Sequence, residues 1–64
     1  MSTNEALAHA VREACIKAAL EAYESAGISG LCADGRWEMA VQAIRTRDLG
    51  AVLVAFPEGE ERPR

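Results

Sequence analysis

From Asn4 to Ala26 the chain runs for twenty-three residues without proline or glycine, and ten of these are alanine or leucine, the strongest helix formers. A helix of that length is about 35 Å long at 1.5 Å per residue. It dominates a chain of 64 residues, and so fixes the folding problem: what the remaining residues can place against it. A chain this short buries only about 60% of the surface it exposes when unfolded, so its own core is marginal. Small chains of this kind recover stability from disulfides, a structural metal or association with another chain.

The ends of this helix are marked. Ser2-Thr3-Asn4-Glu5 fits a capping box, in which the Glu5 amide donates to the Ser2 hydroxyl and the Glu5 carboxylate accepts from the Ser2 amide. The first helix is expected over about 3–26, with Gly27 in the left-handed C-terminal position and Ile28 folding back over Tyr23. At about 100° per residue, Leu7, Val11, Ala14, Cys15, Ala18 and Ala22 share one face, while Ile16, Ala19, Leu20 and Tyr23 share another. A helix with one neighbour needs an apolar stripe of only about 100°, so two apolar faces imply two neighbours. The remaining strip, with His9, Glu13, Lys17, Glu21 and Glu24, is polar and reads as solvated.

Gly27-Ile28-Ser29-Gly30 is a short, turn-like connection, which favours antiparallel neighbours and thus a helical hairpin. A second helix is expected over about 34–47, with Asp34 as its N-cap and Ser29 as an earlier alternative. Trp37, Ala40, Val41 and Ile44 share its apolar face, and Trp37 is the expected anchor of the hairpin. Residues 49–56 end in the apolar run Ala51-Val52-Leu53-Val54-Ala55-Phe56. Periodicity leaves this segment open between a strand, which would need a partner's sheet edge, and a third short helix capped by Asp48. Residues 1–56 are thus expected to form one helical domain and the charged residues 57–64 a mobile tail. The fold class is all-α: an antiparallel helical hairpin that completes a four-helix bundle by dimerisation.

Few residues offer chemistry. With two cysteines and one histidine the chain lacks the usual four-ligand Cys/His zinc set. His9 could join Glu5 or Glu13 on a metal, but no ligand or catalytic spacing surrounds it, and an exposed helix histidine is the simpler reading. Cys15 and Cys32 form no Cys-x-x-Cys motif. If Cys15 lies eleven residues before the helix end, it stands about 16 Å down the axis, beyond the roughly 7 Å Cα separation a disulfide tolerates. Cys32, near a helix start, is the better reactive-thiol candidate. Nucleotide-binding glycine motifs are absent, and a single histidine on a helix gives no Ser/His/Asp arrangement. No catalytic, cofactor-binding or metal residues are therefore assigned.

The run Ile28-Ser29-Gly30-Leu31-Cys32, followed by Gly35-Arg36-Trp37-Glu38 and Ala40, resembles a pattern in short, poorly characterised bacterial helical proteins. The likeness spans about residues 19–49. It implies a helix-turn-helix in the loose sense of a hairpin, with no DNA-reading role and no particular activity.

The formal charge of −3 and the scattered basic residues argue against a nucleic-acid binder. No apolar stretch approaches the roughly 20 residues needed to span a bilayer, and the N-terminus lacks the basic start and apolar run of a signal peptide. A cytoplasmic protein with reduced thiols is expected. The functional expectation is a non-catalytic protein-interaction module, pairing with itself or docking as a small subunit on a larger protein. Its interface candidates are Leu7, Val11, Ala18, Ile16, Leu20, Tyr23, Trp37, Arg36, Val41 and Ile44. The alternative is a redox or accessory role for the Cys32 thiol.

Overall fold

The computed structural model describes residues 3–56. Three helices follow one another in the chain: α1 (Thr3–Ile28), α2 (Ala33–Thr46) and α3 (Leu49–Leu53). The described residues are all-α, with no strand among them. Both α2 and α3 pack on α1. Ser2 of the expected capping box and the tail over 57–64 lie outside the described residues.

α1 ends later than its glycine pattern suggests. The Leu31 amide donates to the Ala26 carbonyl and the Gly30 amide to the Gly27 carbonyl, both at 3.0 Å, which is the pair of bonds that defines a Schellman ending. Gly30, with φ of +92°, holds the left-handed position, three residues beyond the expected Gly27. Gly27 stays helical, and its missing side chain serves a close approach instead. A Cβ there would stand 2.9 Å from Cζ of Arg36. Ile28, expected to cover Tyr23, is 83% exposed, and the Arg36 guanidinium lies over the Tyr23 ring in its place.

α2 begins one residue earlier than expected. Cys32 is its N-cap, with extended backbone (φ −76°, ψ 175°) and no side-chain cap hydrogen bond. Neither Asp34 nor Ser29 takes that role; Asp34 sits in the first turn, where its charge opposes the helix dipole favourably, as Arg45 does in the last turn. Of the segment left open by periodicity, Leu49–Leu53 is helix and residues 54–55 are a turn. The Gly50 amide donates to Oδ1 of Asp48 at 2.9 Å, so Asp48 caps α3. One carboxylate cap and local backbone bonds satisfy groups that a lone strand would leave unpaired.

The buried core of the described residues is Ala26 and Ala40, at 6% and 7% exposure. Two methyl groups contribute on the order of 1–2 kcal/mol, at about 0.8 kcal/mol each. Half-buried Leu7, Val11, Ala14, Cys15, Ala18 and Ala22 add to this along the α1 face that the sequence groups together. Small side chains let two helices approach closely, but they leave little apolar area out of water.

The ending of α1 gives a direct test. Gly30→Ala places a Cβ in left-handed backbone and is expected to cost about 1–2 kcal/mol. Gly27→Ala keeps helical backbone and gains helix propensity against displacement of a flexible guanidinium, so it is expected to be the more stable variant. Thermal unfolding separates the two by about 4–8 °C per kcal/mol in a domain of this size.

Candidate protein-interaction surface

The turn sets the rotation of α2 about its axis, and that rotation decides which side chains are left outside. Arg36 Nε donates to the Leu31 carbonyl at 3.2 Å, and its Cζ lies 5.6 Å from the centroid of the Tyr23 ring. The same guanidinium rests against the bare Cα of Gly27. One side chain thus ties the first turn of α2 to the last turns of α1 by a hydrogen bond, a cation–π contact and packing. With Arg36 and Ala40 four residues apart and both facing α1, Trp37 is carried about 100° round the helix.

Trp37 is consequently 66% exposed. It is not the anchor of the helix pair that its size and spacing suggested; Arg36 does that work, with Ala40 beside it. The large side chains of the second α1 face are exposed as well: Leu20 by 64%, with Ile16 and Tyr23 also in the exposed class. Ile44 joins them from α2, while Val41 is half-buried. Of the candidate interface residues, Leu7, Val11, Ala18, Arg36 and Val41 are thus half-buried, and Ile16, Leu20, Tyr23, Trp37 and Ile44 face solvent.

Along the outer side of α2, Trp37, Glu38, Val41, Gln42 and Arg45 line an open depression of about 400 Å³. All five belong to one helix, so no opposing element closes it. A small-molecule site needs enclosure and convergent polar groups, which an open depression on one helix does not supply. Sequence reasoning missed Glu38, Gln42 and Arg45 as members of this surface. Their signal was present in the spacing of 38, 41, 42 and 45, which repeats at three and four residues around Val41.

A second exposed apolar group lies on and after α3, where Leu49, Leu53 and Val54 are exposed. Cys15 is a half-buried free thiol and Cys32 an exposed one. Among the described residues no group of three His, Cys, Asp or Glu could hold a metal ion, and no helix is long and apolar enough to cross a membrane. Comparison with protein-family models, curated proteins and solved structures finds no match to this chain. Function has to be read from the geometry.

The Arg36 clasp is testable on stability. A hydrogen bond contributes about 0.5–1.5 kcal/mol and an exposed cation–π contact about 0.5–1 kcal/mol, so Arg36→Ala is expected to lower stability by about 1–2 kcal/mol. Arg36→Lys, which keeps the charge and loses the planar fork, is expected to recover less than half of that. Urea unfolding of the three proteins gives the comparison.

Proposed function

We propose that this chain is a non-catalytic helical interaction module, and that α1 and α2 form an antiparallel hairpin whose outer apolar face completes a four-helix bundle with a second hairpin. The observation that supports this reading is the imbalance of burial. Among the described residues the two buried ones are alanines, while Ile16, Leu20, Tyr23, Trp37 and Ile44 are exposed. Exposed apolar patches larger than roughly a few hundred Å² mark interaction sites. A tryptophan in such a patch is the residue type that most often dominates binding energy.

The partner is a second copy or, in the same reading, a larger protein that presents an equivalent helical face. The acidic balance and scattered basic residues support a protein partner over nucleic acid or an anionic membrane. The chain is assigned to the cytoplasm, where both of its thiols would remain reduced. A second reading rests on the exposure of Cys32 at the α2 N-cap: a redox or accessory role for that thiol. It requires that oxidation or alkylation of Cys32 alter assembly, and an unchanged mass after iodoacetamide treatment dismisses it.

The interaction reading is tested by the solution mass of the purified chain, measured by light scattering over a dilution series with helicity followed in parallel. A dimer that loses helix as it dissociates, or a poorly folded lone chain, is the expected outcome. A monomer that stays fully helical at micromolar concentration and above contradicts it.

A further inference from the structure

We draw no further inference here: the strongest candidate, the exposed apolar surface of α1 and α2 that bears Leu20 and Trp37, carries nothing beyond the interaction reading because nothing in the structure shows what covers it.

Discussion

Close contact between α1 and α2 through Ala26 and Ala40 is the constraint from which the rest follows. Alanine lets the helices approach, and that approach uses the smallest apolar side chains as the buried core. The larger ones are then displaced to the flanks. Arg36 reinforces the contact by filling the space over Gly27 and covering Tyr23, which locks the rotation of α2. Once that rotation is set, Trp37 has nowhere to go but outward. A small core and a large exposed face are thus two consequences of one packing choice.

Much of this was legible in the chain. The long first helix follows from twenty-three residues without a breaker, and its two apolar faces follow from simple periodicity. The residues the wheel grouped with Leu7 and Val11 are half-buried, but so are Ala6, Ala10 and Ala19, which it did not group with them. Helix boundaries were less legible, because glycine has two uses. Gly27 reads as a helix terminus, yet it is retained for close approach, and the left-handed position falls to Gly30. Only the contact of Gly27 with Arg36 distinguishes these uses, and that contact is tertiary.

Trp37 was misread for a related reason. Size and spacing nominate a tryptophan as a core residue, but a single-residue difference in helix phase moves it from the interface to the flank. Local periodicity gives the apolar arc of α2 without saying which part of that arc meets α1. The state of 49–56 was likewise beyond periodicity: Leu49–Leu53 is helix, with the Gly50 amide donating to Asp48 at its start, and the chain turns after it. In the candidate surface, the apolar members were found from the sequence and the charged ones were not. Glu38, Gln42 and Arg45 join Trp37 and Val41 only in the depression on the outer side of α2.

The central claim is that the face bearing Trp37 and Leu20 is covered in the functional state. The chain contains one tryptophan, and it sits in the middle of that claim. Its fluorescence emission, recorded across a concentration series with circular dichroism in parallel, reports its exposure directly. The account predicts a blue-shifted emission at high concentration that moves to the red on dilution, in step with loss of helix. A red, solvent-like emission that does not change with concentration, with helix content constant, would contradict it.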